Sequence, residues 1–133
     1  MKEAATDKAN IDEVTKKFFG LFSNKNKQQP NWDTINDLCI KETIIIKKTG
    51  LEEEIYNLRT FIEPRKEMLS NGTLLDFEEW EIDETTVING NLGQRNSKYK
   101  KKGKLNGEAF EGRGTKFFQF IKTKSGWKIT SVI

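Results

Sequence analysis

The residue types that could perform chemistry in this chain are Asp, Glu, Tyr, Lys and Arg. The 133 residues include no histidine and one cysteine, Cys39. Catalysis by a Ser-His-Asp or Cys-His nucleophile is therefore excluded, as is a histidine general base. A zinc or iron–sulfur site is excluded as well, because it needs several cysteine or histidine ligands. We predict no metal and no cofactor, and we interpret Cys39 as a thiol of the hydrophobic core.

Arg95 is the cation whose spacing most suggests binding. Strand alternation places it with Gly93, Ser97 and Tyr99 on one face of a predicted strand. If that face points inward, the guanidinium group could bind a carboxylate or a phosphate through two parallel hydrogen bonds.

Two neutral side chains on neighbouring predicted strands, Gln119 and Ser131, could add donors and acceptors to such a site. The alternative, which we prefer, is that Arg95 forms an ion pair with Glu79 or Glu81 at the surface or across a dimer. Ion pairs of that kind are common on protein surfaces and serve no binding function.

An acidic tract supplies the candidates for a general base. Alternation distributes its carboxylates over both faces of a strand, and an inward carboxylate would be desolvated, which raises its pKa. A solvated outer face is the simpler interpretation, so we assign no catalytic residue and expect a protein that is not an enzyme. The tract comprises Asp76, Glu78, Glu79, Glu81, Asp83 and Glu84.

Aromatic side chains are more numerous than one thin layer between a sheet and helices requires. Trp80, among others, could line a pocket, because ligand pockets are mostly apolar with a few polar groups. Phe117 and Phe118 are adjacent, so on a strand they must point to opposite faces. One of them should lie on the outer face, where an exposed aromatic side chain would mark an interface.

The highest density of positive charge lies in residues 98–104, which read Lys-Tyr-Lys-Lys-Lys-Gly-Lys. A basic run with an aromatic residue can follow a phosphate backbone. The run also lies at a predicted hairpin end, where lysines keep a strand edge from pairing. Because the net charge of the chain is only +3, nucleic acid is not favoured as a partner.

Helices in the first half must position these residues. Helical spacing predicts a first helix with Asn10 or Asp12 as its N-cap, and a short second helix after Pro30. A strand is predicted over 42–48 and a long helix over 51–69, with three glutamates in its first turn and a kink or an end just before Pro64. The apolar faces of the first two helices are Ile11, Val14, Phe18, Leu21 and Phe22, and then Trp32, Ile35, Leu38 and Cys39.

The second half is predicted to be an antiparallel meander of four strands separated by Gly-containing turns. Asn89-Gly90 is the strongest turn signal, because two successive positive φ angles suit a tight hairpin. A change of face between Leu75 and Trp80 indicates a bulge where the sheet curves. The strands are predicted near Leu74–Ile88, Asn91–Lys101, Glu108–Lys124 and Trp127–Ile133.

This order of elements resembles the nuclear transport factor 2-like superfamily, and is most similar to its SnoaL-like and lumazine-binding-like branches. The resemblance rests on Phe18-Phe19, on residues 88–93, on residues 115–122 and on Ser125-Gly126-Trp127-Lys128-Ile129. It implies an α+β fold of the cystatin-like type, in which a cone-shaped, curved antiparallel sheet wraps around N-terminal helices. We expect one domain over 1–133, with residues 1–9 flexible.

The resemblance also implies a pocket inside the cone and a dimer formed through the outer sheet face. We expect a homodimer whose cone binds a small apolar or weakly anionic molecule. The candidate ligand-binding residues are Tyr56, Trp80, Arg95, Tyr99, Gln119 and Ser131.

Two alternatives remain open. One is an isomerase or dehydratase that uses a carboxylate inside the cone. Isomerases of this superfamily pair a tyrosine with acidic groups, and Tyr56 and Tyr99 are the tyrosines of this chain. The other is a basic hairpin that binds nucleic acid or an acidic protein.

No membrane association is expected, because the longest apolar run, Ile44–Ile46, is far too short to span a bilayer. We therefore expect a soluble protein. Residues 1–10 are polar and contain no apolar signal-peptide core, so the cytoplasm is the default location; a signal peptide already removed would leave no trace in the sequence.

Overall fold

Three helices and six strands make up the computed structural model, which describes the backbone of residues 2–133 and the side chains of residues 6–133. Short 3-10 turns at Lys25–Lys27 and Trp32–Thr34 connect the first two helices. The helices are α1 (Lys2–Gly20), α2 (Ile35–Leu38) and α3 (Leu58–Ser70). The strands are β1 (Cys39–Thr49), β2 (Glu52–Tyr56), β3 (Leu74–Asn89), β4 (Leu92–Leu105), β5 (Glu108–Thr123) and β6 (Gly126–Val132).

All six strands form one curved, open sheet in the order β2-β1-β6-β5-β4-β3. Strand β1 is parallel to β6, and every other neighbouring pair is antiparallel. The predicted meander from β3 to β6 is confirmed, and its strand ends differ from the prediction by at most a few residues. The α+β cone with helices against its inner face is confirmed as well.

The predicted bulge in β3 is present. The pairing of β3 with β4 shifts between Leu75 and Glu78, where Asp76 has a φ angle of 50°. A second shift lies between Glu81 and Asp83. Bulges rotate the residues that follow them, and here they leave several acidic side chains of β3 pointing into the cone.

The core lies between α1, α3 and the inner face of the sheet. Phe18 of α1 meets Phe118 of β5 edge to face, with ring centroids 5.5 Å apart, a favourable geometry for aromatic pairs. Cys39 is buried at the start of β1, and its burial raises the pKa of the thiol to about 12. The prediction of a core thiol is confirmed.

Helix α1 begins at Lys2, so the predicted N-cap at Asn10 or Asp12 is wrong. The residues before Asn10 are rich in Ala, Lys and Glu, which are strong helix formers, and Asp7 accepts a hydrogen bond from Trp127 Nε1 at 2.9 Å. The prediction that residues 1–9 are flexible falls partly outside the described side chains and stays a prediction.

The segment predicted as the first turn of a long helix is strand β2 instead. Gly50, at a φ angle of 60°, reverses the chain, so that Glu52–Tyr56 pairs with β1. Lys48 Nζ lies 3.2 Å from the carboxylate of Glu53 on the facing strand. Pairing of opposite charges across a hairpin therefore prevailed over the preference of acidic residues for a helix N-terminus.

Helix α3 begins seven residues later than predicted, at Leu58, after a capping box formed by Asn57 and Thr60. The helix does not end before Pro64, because it continues through Pro64 to Ser70; the alternative of a kink there stays a prediction. The proline removes one backbone hydrogen bond. Burial of Phe61, Ile62 and Leu69 against the sheet offsets that loss.

The hairpin with two successive positive φ angles is not the predicted one, although both the β3–β4 and the β4–β5 turns consist of two residues. Asn106-Gly107 joins β4 to β5 with both φ angles positive, 51° and 84°, as a type I′ turn requires. At the β3–β4 turn, by contrast, Asn89 pairs with Leu92 and only Gly90 has a positive φ angle. No helix within residues 2–133 is long and apolar enough to cross a membrane.

Candidate functional site

Two groups of polar side chains lie on the inner face of the sheet. The first, called here the arginine network, is centred on Arg95 of β4. The second, called here the lysine site, is centred on Lys116 of β5. Directly paired residues of neighbouring strands point to the same face of a sheet. Ser97 of β4 pairs with Lys116 of β5, and Arg95 pairs with Phe118, so both groups lie on one face.

The arginine network holds a buried guanidinium group. The Arg95 side chain is 3% exposed. Its Nε and Nη2 donate to the two carboxylate oxygens of Glu81, at 2.9 and 2.5 Å. Its Nη1 donates to Asp12 Oδ1 at 2.6 Å and to Thr86 Oγ1 at 3.0 Å. Such two-point contacts between Arg and a carboxylate are among the strongest polar contacts in proteins.

Further groups satisfy the carboxylates of the network. Ser97 donates to Glu81. Lys8 Nζ of α1 donates to Asp12 Oδ1 at 2.7 Å and to Glu84 Oε1 at 2.9 Å. The network thus joins α1 to β3 and β4, and little of the hydrogen-bonding capacity of Arg95 is left for a ligand.

The pKa values of the network follow from these contacts. Burial raises the pKa of Asp12, but hydrogen bonds from Lys8 and Arg95 outweigh it, so the net pKa lies below its ordinary value. A hydrogen bond from Thr86 lowers the pKa of Glu84 more than burial raises it. Both carboxylates are therefore held in the charged form.

The structure partly corrects the prediction for Arg95. Its partner is Glu81, as the preferred alternative had it. The pair lies inside the cone of one chain, however, rather than at the surface or across a dimer. The bulges in β3 explain this, because they turn Glu81 inward toward Arg95.

The lysine site contains an amine with few polar partners. Lys116 Nζ lies 3.5 Å from Glu79 Oε1, and the two side chains are 19% and 10% exposed. The same nitrogen lies 4.2 Å from the ring centroid of Tyr99 and 5.8 Å from that of Phe19. The amine is therefore enclosed by aromatic faces with one carboxylate beside it.

Glycines of β5 make room for this arrangement. A Cβ atom at Gly114 would come within 2.6 Å of the Tyr99 hydroxyl, so the tyrosine ring lies directly over the glycine. A Cβ atom at Gly112 would lie 3.0 Å from Lys101 Cε. Both long side chains of β4 thus extend across the inner face toward Lys116.

Helix α3 adds a second cation. The guanidinium carbon of Arg65 lies 3.6 Å from the ring centroid of Phe61 and 5.5 Å from that of Tyr56. Arg65 Nη1 donates to the carbonyl oxygen of Phe61 at 2.9 Å. Within residues 6–133, Lys101 has no hydrogen-bonded or ion-paired partner on its amine.

Charge in the lysine site is unbalanced. Burial lowers the pKa of Lys116; Glu79 opposes this shift, whereas repulsion from Lys101 and Arg65 adds to it. Burial and Glu79 both raise the pKa of Tyr99. Lys101 and Arg65 are thus close enough to repel Lys116, with Glu79 beside Lys116 and both Glu79 and Glu54 acting on Arg65. An anion placed among the three cations would be stabilised.

The structure does not bring the six predicted ligand-binding residues together. Tyr99 lies in the lysine site and Tyr56 at its edge, beside Arg65. Trp80 is exposed on the outer face with Lys102 Nζ 6.0 Å from its ring centroid. Gln119 and Ser131 are hydrogen-bonded to each other in an exposed position, at 3.0 Å.

Sequence reasoning missed Lys116 and Arg65. A signal for Lys116 existed, because it alternates with Phe118 and Phe120 on a strand face that is otherwise aromatic. Arg65 gave no signal, since its place depends on where α3 begins.

The basic run 98–104 is divided between the two faces of the sheet. Tyr99, Lys101 and Gly103 are partly buried, whereas the lysines that alternate with them are exposed. The hypothesis of a nucleic-acid interface stays untested.

Two surface grooves lie away from the lysine site. One of about 570 Å³ is at the β4–β5 hairpin end, lined by Lys102, Gly103 and Phe110 among others. The other, of about 450 Å³, lies between α1, α2 and the start of β6. Among the residues whose side chains are described, no group of three or more Cys, Asp and Glu is placed to hold a metal ion.

Solved structures similar to this chain share its architecture. A protein from Kribbella flavida superposes with a TM-score of 0.79 at 16% identity, covering 97% of this chain and 89% of that one. A nuclear transport factor 2-like superfamily protein from Salmonella enterica serovar Typhimurium gives 0.77 at 15% identity, with the same coverage of 97% and 89%.

The chain has the nuclear transport factor 2-like fold. This fold is also described as cystatin-like, so the resemblance seen in the sequence is confirmed at the level of the fold. A candidate ketosteroid isomerase from Shewanella frigidimarina has the same fold, with a TM-score of 0.66 at 17% identity over 93% of this chain and 92% of that one. No protein-family model and no curated protein matches the sequence. The SnoaL-like branch stays a prediction.

Proposed function

We propose that this protein is a homodimeric, non-catalytic binding module whose cone accepts a small molecule with an aromatic or apolar body and one anionic group. The observation that carries the proposal is the charge imbalance of the lysine site. Lys116 lies beside Glu79 on the inner face, and the charges of Lys101 and Arg65 act on the same amine.

A bound anion would balance the positive charge of the lysine site. Cations that are partly removed from water interact strongly with a nearby negative charge. Tyr99 and Phe19 supply aromatic walls for the body of the ligand. Entry requires a rotamer change of Arg65 or Lys101, which are long side chains at the edge of the site, and such changes are common when ligands bind.

Calorimetric titration with 4-hydroxybenzoate and with 4-hydroxybenzyl alcohol tests this proposal. The two probes differ mainly in the carboxylate, so the benzoate should bind at least about tenfold more tightly, a difference of about 1.4 kcal/mol. The combined substitution of Lys116 and Lys101 by Met should abolish the preference. Arg113→Ala, which removes an exposed cation of β5, should preserve it. Equal binding of both probes would refute the proposal.

The homodimer is proposed to form through the outer face of the sheet. Phe117 of β5, Ile133 and Ile44 of β1 are 53%, 49% and 48% exposed. Phe117 and Ile133 exchange backbone hydrogen bonds, at 2.8 and 3.0 Å, so the two side chains are neighbours. An apolar patch on a sheet face can meet its own copy across a two-fold axis.

Sedimentation velocity tests the dimer. Phe117→Glu should convert the dimer to a monomer, because it places a charge in the centre of the patch. Leu51→Glu is the matched control, since Leu51 is 93% exposed in the β1–β2 turn and lies outside the patch. A wild-type monomer at micromolar concentration would contradict the proposed interface.

An isomerase is the second candidate, and Glu79 is the observation that favours it. It is an inward carboxylate with aromatic neighbours and a donor, Lys116, opposite it. Such a carboxylate could act as a general base that transfers a proton between carbon atoms close to a ketone group. Turnover of a β,γ-unsaturated ketone to its conjugated isomer, followed by absorbance, should then be lost in Glu79→Gln and retained in Glu111→Gln.

A further inference from the structure

The amine of Lys116 is placed for covalent chemistry that anion binding does not require. It lies on a central strand inside the cone, and 19% of its side chain is exposed to solvent. Phe19 and Tyr99 shield it from bulk water. Buried lysines of this kind carry a larger share of free, nucleophilic amine than surface lysines do.

A carboxylate stands beside this amine. Glu79 Oε1 lies 3.5 Å from Lys116 Nζ, close enough to exchange protons directly or after a small movement. Arg65 and Lys101 are cations whose charges act on this amine. They are suited to an acidic group on the molecule that the amine would attack.

We propose that Lys116 captures carbonyl compounds that carry a carboxylate, such as 2-oxo acids and carboxylated aldehydes, as an imine inside the cone. The proposal rests on the proposed function because it uses the same site. It adds a covalent step and a substrate class.

The step balances without any further reactant. The free amine of Lys116 attacks the carbonyl carbon, forming a C–N bond while the C=O π electrons move to the oxygen. Glu79 accepts a proton from the nitrogen and returns it to that oxygen. The nitrogen lone pair then forms the C=N bond while the C–O bond breaks, and the departing hydroxyl group takes the second N–H proton, relayed by Glu79, and leaves as water. Amine and carbonyl compound thus give imine and water.

Reductive trapping of the wild-type protein tests the proposal. Glyoxylate with cyanoborohydride would convert an imine into a stable carboxymethyl-lysine, and peptide mass mapping would locate it. Lys116 should be modified at least about tenfold faster than Lys100, an exposed lysine of β4, because a neighbouring carboxylate assists proton transfer. Modification of Lys116 no faster than Lys100 would overturn the proposal.

Two variants sharpen the result. Glu79→Gln should slow modification of Lys116 several-fold and leave Lys100 unchanged, whereas Lys116→Arg should remove the fast-reacting site alone. An unchanged rate at Lys116 in Glu79→Gln would refute the role of Glu79.

Two further outcomes separate this proposal from the binding proposal. If 4-hydroxybenzoate binds but Lys116 is not trapped selectively, covalent capture fails and the binding function stands. If neutral propanal is trapped at Lys116 as fast as glyoxylate is, the amine is reactive but the anion-binding function fails.

Discussion

The arginine network and the lysine site lie on one sheet face, and both pair a cation of the inner strands with a glutamate of β3. In the network one guanidinium group has carboxylates on two sides, and a second cation, Lys8, satisfies them further. In the lysine site Lys116 and Arg65 both interact with Glu79, and the charge of Lys101 acts on Lys116. The difference is consistent with a network that maintains the fold, and it is the basis for proposing the lysine site as the place where an anionic ligand binds.

Replacing Arg95 by Met should have the largest effect on stability. The substitution leaves Glu81 inside the cone without its cation, and breaking a buried ion pair from one side costs about 3–5 kcal/mol. Urea unfolding followed by tryptophan fluorescence measures the loss. Arg113→Ala is the control, because an exposed arginine should change stability by no more than about 0.5 kcal/mol. Similar losses in both variants would contradict a structural role that is particular to the network.

Gly114→Ala should have the next largest effect, and it acts on the other region. The new methyl group would meet the Tyr99 ring at 2.6–2.9 Å, so the ring must move, at a cost of about 1–3 kcal/mol. The affinity for 4-hydroxybenzoate should fall together with the stability. Gly112→Ala is the matched control for stability, because there only the flexible Lys101 side chain must shift. Equal effects at the two glycines would refute a positioned Tyr99.

Acid should weaken the network through its carboxylates. The pKa values of Asp12 and Glu84 lie below their ordinary values of 3.8 and 4.5. Their contribution is thus present above the ordinary values and is lost as the pH falls through the lowered ones. The urea midpoint should therefore fall between about pH 5 and pH 3. Asp12→Asn should reduce that fall and the exposed Asp33→Asn should not; equal slopes would show that Asp12 contributes nothing.

The sequence was sufficient for most of the fold because its signals are local. Glycine turns and alternating aromatic residues located β3 to β6 to within a few residues. The first helix and the core position of Cys39 were also predictable. Strand β2 was not, since Glu52 to Glu54 suit a helix terminus locally and become a strand only through pairing with β1. The preferences of these three residues do not reveal that pairing, because strand formation depends on the neighbouring strand.

The site was less predictable because it depends on bulges and on helix placement. Strand alternation correctly placed Arg95, Ser97 and Tyr99 on one face. It could not show that Glu81 turns inward and forms an ion pair with Arg95. Arg65 reaches the site only because α3 begins at Leu58 and continues through Pro64, which the sequence did not indicate.

Replacing Lys116 by Met should change stability least, by less than about 1 kcal/mol, although Lys116 and Arg95 both face a glutamate inside the cone. Removal of Lys116 leaves Arg65, whose charge interacts with Glu79, so Glu79 keeps a cation nearby, whereas Glu81 loses its only arginine in Arg95→Met. The desolvation cost of the buried ammonium group disappears at the same time. A loss of stability as large as that of Arg95→Met would contradict the proposed difference between the arginine network and the lysine site.

The pH dependence of this variant tests the same argument. Because the pKa of Lys116 in the folded protein lies below its ordinary value of 10.5, the unfolded chain binds more protons just below that pH. Wild-type stability therefore gains a contribution as the pH rises through the lowered pKa, and Lys116→Met should lack it. Lys100→Met, on the outer face, should retain it. Parallel curves of stability against pH for wild type and Lys116→Met would mean that the amine is as well solvated as that of a surface lysine. Neither anion binding nor imine formation would then have a physical basis in this site.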